Sequence, residues 1–212
     1  MHDTQKFWQW FVDNNEQLTM LGDLSDEKRQ TLLDDLQKQL TDYCEGLTFV
    51  MGEATPSGRT LTFTAEGDND LFRYVVELTD NAPDLDWWDF VAFKQAAGTN
   101  LRVRFDRYNF DTSKMHFMQL ECDDEPDFIG LRVAVDVNNL VSDGKKVDIN
   151  DEDLQVGVYV TIEAMIGEFD CATLMGYLEV VPLPEEPFKS GFRPLDDLPE
   201  FVEWFKRQRD KE

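Results

Sequence analysis

Histidine is scarce in this sequence: His2 and His116 are the only two among 212 residues. Much general acid–base and nucleophilic chemistry is built around an imidazole. His2 stands at the chain start, where a residue is poorly held, so such a site would have to use His116. Cys122 follows six residues later. On one continuous strand that even spacing puts both on the same face but about 20 Å apart, too far for a thiol–imidazole pair. His116 is therefore expected to be a sheet-surface residue.

Cysteine is equally thin. Cys44, Cys122 and Cys171 are odd in number and widely spaced, which fits reduced thiols in a cytoplasm and excludes a disulfide framework. Neither C-x-x-C nor H-E-x-x-H occurs, so zinc has no ready ligand set. The glycines are scattered and form no phosphate-binding loop, no dinucleotide fingerprint and no G-x-S-x-G elbow. No apolar run approaches the ~18 residues of a membrane span. The start MHDTQKFWQWF lacks a basic region followed by an apolar run, so no signal peptide is expected. On these grounds no catalytic residue, cofactor or metal ligand is expected, and no membrane partner.

Positive charge is short as well. The chain carries 20 basic against 44 acidic side chains, a net charge of -24. Such a surface repels phosphate backbones and anionic lipid, which excludes nonspecific nucleic-acid binding. It fits a highly soluble cytosolic protein, or one that docks on a basic partner or imitates nucleic acid. The acidic clusters are Glu66 to Asp70, Asp123-Asp124-Glu125 and Asp148 to Asp153. None has the central Gly and distal Glu of a calcium loop. Helix starts and turns account for all three, with adventitious calcium or magnesium left open. Paired carboxylates could serve glycoside hydrolysis, but with 44 acids a suitable pair carries no information.

Apolar material is what the chain has in quantity: 42% hydrophobic residues, with 16 Phe, 5 Trp and 5 Tyr. That is too much for a disordered chain, so a compact core is expected, in a single α+β domain over residues 1–212. Residues 4–14 read as an aromatic helix with Phe7, Trp10 and Phe11 on one face. Ser25 can cap a second helix with Leu32, Leu33, Leu36, Leu40 and Tyr43 as its stripe, ended near Gly46. Leu47-Phe49-Met51 and Leu61-Phe63-Ala65 alternate as a hairpin. Asp68 opens a helix that ends before Pro83. Residues 87–93 (WWDFVAF) read as a dense aromatic strand buried on both faces.

Farther on, Leu101, Val103 and Phe105 alternate with Arg102 and Arg104 as a half-exposed strand, which Tyr108 to Phe110 continues into the sheet. His116 to Glu121 and Phe128 to Val137 read as two antiparallel strands, the second with Ile129, Leu131, Val133, Val135 and Val137 on one face. Residues 138–150 are polar and read as an exposed loop. Leu154, Val158, Ile162, Met165 and Ile166 recur at helical spacing behind a cap at Asn150 or Asp151. Leu174 to Val181 then reads as a strand stopped by Pro182 and Pro184, and Leu198 to Arg209 as a last helix.

Residues 47–93 and 116–181 both read strand, strand, helix, strand. This echo raises an internal repeat of two ββαβ, ferredoxin-like units. The expected architecture is mainly antiparallel sheet with helices on one face, flanked by N- and C-terminal helices. The other sheet face is left for a partner. Trp87 and Trp88 are neighbours that a strand would point to opposite faces, so one of them is a candidate interface residue.

The segments FWQWF, WDFVAFKQ, GEFDCATLMGYLEVVPL and PLDDLPEFVEWF resemble a set of uncharacterised bacterial proteins. Those proteins open with an F-W-x-W-F helix and carry a G-E-[FY]-D segment before their last strand. The resemblance covers about residues 7–205. It implies a bacterial cytosolic origin and brings no assigned activity. Gly167, Glu168 and Asp170 match its most specific segment. Gly167 can stop a helix, while Glu168 and Asp170 can bind backbone amides in the connecting turn or serve at an interface.

These features together point to a non-enzymatic, acidic, cytoplasmic interaction or regulatory module that meets a basic protein surface. Two alternatives stand beside it: a carboxylate-based, metal-assisted hydrolase, and an immunity or inhibitor protein against a basic toxin or nuclease.

Overall fold

The computed structural model describes residues 3–120, 127–141 and 147–209. The fold is α+β, as its composition and patterning predict. The chain read as one domain divides into two compact units, Met1–Lys94 and Gln95–Glu212, and each is described by itself. Cys122, the cluster Asp123-Asp124-Glu125 and Gly144 lie outside the described residues.

The first unit opens with α1 (Thr4–Thr19). The Asp3 carboxylate caps it, accepting the N–H groups of Gln5 and Lys6 at 3.0 and 3.3 Å. The helix runs past residue 14 because Leu18 is fully buried and holds its last turn on the core. Its apolar face is Phe7, Trp8, Phe11 and Leu18, and the expected Trp10 is only half-buried. Helical spacing fits either tryptophan beside Phe11, and the tertiary partner decides. Trp8 donates its indole N–H to the Leu78 carbonyl at 3.0 Å and sets its ring 4.6 Å from Phe90.

The next helix, α2 (Asp26–Tyr43), buries Leu32, Leu36, Leu40 and Tyr43, with Leu33 half-buried at the margin. Strands β1 (Thr48–Met51) and β2 (Arg59–Thr64) form the expected hairpin, with Phe49 opposite Phe63. Gly58 (φ +129°) lets the chain pass the Trp87 carbonyl, which a Cβ would meet at 2.6 Å. Asp68 caps a short turn that leads into α3 (Phe72–Asp80). Strand β3 (Trp88–Ala92) then pairs parallel to β2, giving the order β1-β2-β3. It is not buried on both faces as its composition predicts. It has one strand neighbour, and Asp89 is exposed.

The second unit begins with β4 (Arg102–Phe105) and β5 (Tyr108–Asp111), antiparallel to each other. They form a separate two-stranded ribbon and do not extend the main sheet. That sheet has the order β8-β7-β6-β9, from β6 (His116–Leu120), β7 (Ile129–Val135), β8 (Met175–Pro182) and β9 (Arg193–Pro194). Strand β7 ends before Val137, but Ile129, Leu131, Val133 and Val135 are fully buried. The segment expected as exposed loop contributes Leu140 and Val147 to the core.

Helix α4 (Glu152–Ile166) is capped by Asp151, which accepts from Asp153 and Leu154 N–H. Gly167, at φ +87°, ends it as predicted. The connection beyond it is not a turn. Residues Glu168–Leu174 form a second helix, α5, so Leu174 closes a helix instead of opening a strand. Cys171 and Leu174, three apart and both buried, anchor its inner side. The last helix is α6 (Leu198–Arg209), whose Phe201 ring lies 5.7 Å from Phe117. Helices α4 and α6 share one apolar cluster with the inner face of β7.

Residues 47–93 and 116–181 carry the same order and senses: an antiparallel hairpin, a helical crossover, and a third strand parallel to the second. The ferredoxin-like expectation is not met. A split βαβ places another strand between its two parallel strands, whereas β2–β3 and β7–β8 are direct neighbours.

Candidate functional site

The neighbouring tryptophans are separated by their surroundings. Trp88 is buried at 8% exposure, donates its indole N–H to Asn15 Oδ1 at 2.7 Å and stands edge-on to Phe11 at 5.1 Å. It belongs to the core. Trp87 is half-buried, and its indole N–H is shielded without a partner among the described residues. It lines a cavity of about 290 Å³ with Thr55, Ser57, Asp86 and Asp89. The hydroxyls and carboxylates there can hold a polar group, but no imidazole or thiol reaches it.

Glu168 and Asp170 are on α5, in the other unit. Glu168 is fully buried in the first turn, close in sequence to the nearly buried Glu163. Burial first, then Cys171 and the carboxylates of Glu163 and Glu168, push the Tyr159 hydroxyl well above its usual range. Tyr159 therefore stays neutral at physiological pH. Asp170 accepts from the Lys206 ammonium at 2.9 Å and ties α5 to α6. Hydrogen bonds donated by Lys206 to Asp170 and then to Glu203 raise its pKa. Glu168 and Asp170 thus share the first turn of α5, Glu168 packed inside and Asp170 joined to Lys206 of α6.

His116 is a strand residue, as expected. It faces away from Phe117 and meets the exposed Phe188 ring at 5.5 Å. Among the described residues no group of three or more His, Cys, Asp or Glu side chains is placed to hold a metal ion. No helix there is long and apolar enough to cross a membrane.

A concavity that sequence reasoning missed lies between α6 and strands β6 and β9, with a volume of about 430 Å³. Phe201 and Trp204 line it, their rings stacked at 5.8 Å. Arg193 stands over both Phe117 and Phe201 at 5.2 Å, a cation–π arrangement. Arg207, Asp197 and Glu200 complete the charged rim. This groove offers charges of both signs and an aromatic surface but no nucleophile, so it can bind and orient without reacting. Its signal was in the sequence: 197, 200, 201, 204 and 207 recur at i+3 and i+4, one face of a helix. Arg193, contributed by a two-residue strand, carried no such signal.

Outside the groove, the long strand β8 forms one border of its sheet. Glu179 on it accepts from Arg132 Nε at 2.7 Å, leaving the strand locally neutral. Tyr177 is 55% exposed beside it. No family model, no curated protein and no solved structure matches this chain.

Proposed function

We propose that this protein is a non-enzymatic interaction module that binds a basic protein surface. The observation that carries the reading is the even spread of its acidity. Residues 1–94 hold 19 acidic against 7 basic side chains, and residues 95–212 hold 25 against 13. Each unit therefore has an excess of 12 acidic groups, so the field does not come from one charged tail. On α2, Glu27, Asp34, Asp35 and Asp42 are exposed, and of these only Asp42 meets a basic side chain among the described residues, Lys6 at 3.6 Å. Positions 27 and 34, and 35 and 42, are seven apart and recur on nearby lines of the helix. A cationic partner is steered toward such a surface, and a nucleic acid is repelled.

The test is binding of a fluorescent lysine-rich peptide across a salt series from about 50 to about 500 mM, where the screening length falls severalfold. Affinity should drop steeply with salt, and Lys at positions 27, 34, 35 and 42 should weaken it at low salt. A peptide held equally tightly at both ends of the series would overturn the reading.

A further inference from the structure

We propose that the outer edge of β8 is a docking site at which an extended segment of a basic partner adds as a fifth strand. The inference rests on the basic-partner reading above and specifies where and how such a partner is held. Strand β8 pairs with β7 on one side only. Among the described residues no backbone hydrogen bond reaches its other side. Gly176 has no side chain, so its exposure is exposure of the main chain itself. An edge of this kind presents a row of N–H and C=O groups ready to pair with another strand.

The other sheet's borders are better guarded. At β1, the Gln37 side chain donates to the Leu47 carbonyl at 2.9 Å and its oxygen accepts from the Thr48 hydroxyl. At β3, the Trp88 N–H is taken by the Leu85 carbonyl at 2.9 Å. On β8 the guards stand at the ends alone. The pairing slips at Gly176, between Ile129 and Gly130, and Pro182 has no N–H to offer. That leaves Tyr177–Val181 as the usable edge, five residues with one carboxylate, already paired with Arg132.

The flanks choose the occupant. Exposed Asp127 stands two residues before Ile129, the β7 partner of Met175, and exposed Glu185 stands three residues after Pro182; neither meets a basic side chain among the described residues. A segment with β-branched residues in its middle and Lys or Arg at its ends matches both the neutral centre and the acidic ends. A second copy of this chain would bring acidic flanks against acidic flanks, and a net charge of -24 against its like.

The probe is a labelled peptide of alternating valine and threonine with lysines at both ends. Its control has the same sequence with alternate backbone nitrogens methylated, which keeps the charge but replaces the donors on one edge with methyl groups. The unmodified peptide should bind at least about tenfold tighter than the control. Hydrogen exchange should show new protection at residues 177–181 in its presence. If the methylated peptide binds equally well, charge alone holds the partner: the basic-partner reading survives and strand addition fails. If neither peptide binds at low salt, both readings fail. Protection of 177–181 that appears without peptide as the protein concentration rises would assign the edge to a second copy and overturn the proposal. Tyr177→Lys, an exposed change, should weaken the unmodified peptide severalfold, and unchanged binding would count against this edge.

Discussion

Two sheets in this molecule share a strand order and differ in what fills them. The sheet β1-β2-β3 is packed by rings: Phe7, Trp8, Phe11, Phe63, Trp88 and Phe90 meet at centroid distances of 4.6 to 6.5 Å, mostly edge to face. The central strand of the other sheet buries Ile129, Leu131, Val133 and Val135 against Val158 and Ile162. An antiparallel hairpin and a helical crossover are common to both. The order of elements sets the topology, and the side chains decide how each layer is filled. Rings need specific mutual geometry, whereas branched aliphatics fill space with few orientational demands.

That contrast can be broken most directly at its two centres. Phe63→Ala should cost about 3–5 kcal/mol, because its ring faces Phe7 and Trp8 edge-on at 5.6 and 5.7 Å and leaves a large hole. Leu131→Ala should cost about 2–5 kcal/mol, toward the lower end if neighbouring aliphatics relax into the gap. Urea unfolding measures both. Trp8, Trp10, Trp87 and Trp88 report on the first unit, and Trp204 on the second. A loss below about 1 kcal/mol at Phe63 would mean the ring cluster is not a packed core.

Gly157 offers a sharper probe of the second unit. A Cβ there would meet Phe110 Cε2 and Cζ at 2.6 and 2.7 Å. Gly157→Ala should destabilise by about 1–3 kcal/mol through overpacking, despite a helix-propensity gain of about 1 kcal/mol. Phe110→Leu in the same chain should recover part of the loss, and a thermal-melt double-mutant cycle reads the coupling. An additive result would show that the ring and the helix backbone do not press on each other.

The adjacent tryptophans give a smaller contrast. Trp88→Phe removes the donor to Asn15 and should cost about 1–2 kcal/mol. Trp87→Phe removes an indole N–H that has no described partner, and should cost below about 1 kcal/mol. Equal losses would mean that ring area, not the hydrogen bond, sets both.

Legibility tracked the same divide. Alternation exposed the hairpins, since Leu61 and Phe63, or Leu131 and Val133, sit two apart on a buried face. Periodicity exposed α2 and α4. It could not give the choice between Trp8 and Trp10, which Leu78 and Phe90 decide from far along the chain. Helix α5 was hidden because a glycine stop at Gly167 is also how a strand connection begins. Of the candidate site residues, Trp87 and Trp88 both line the cavity beside Asp86 and Asp89. The helix face of the groove was legible in the spacing of 197, 200, 201, 204 and 207, but Arg193 was not, because it comes from a separate two-residue strand.

The smallest effect belongs to the clamp between α5 and α6, which has no counterpart in the ring-packed unit. Lys206 is held by Asp170 and Glu203, each at 2.9 Å, and its folded pKa lies above the ordinary lysine value. A group whose pKa rises on folding stabilises the fold fully below its unfolded value, about 10.4 for lysine, and loses that contribution as pH rises through the folded value. The Lys206 side chain is one-third exposed, so Asp170→Asn should lower stability at pH 7 by at most about 1 kcal/mol. The gap from the unaltered protein should hold from pH 7 to about 10 and close above it, as the ammonium loses its proton. Urea midpoints taken across that range measure it. A gap that persists after the lysine has titrated would assign the loss to packing of the Asp170 side chain, and the clamp would then owe nothing to charge.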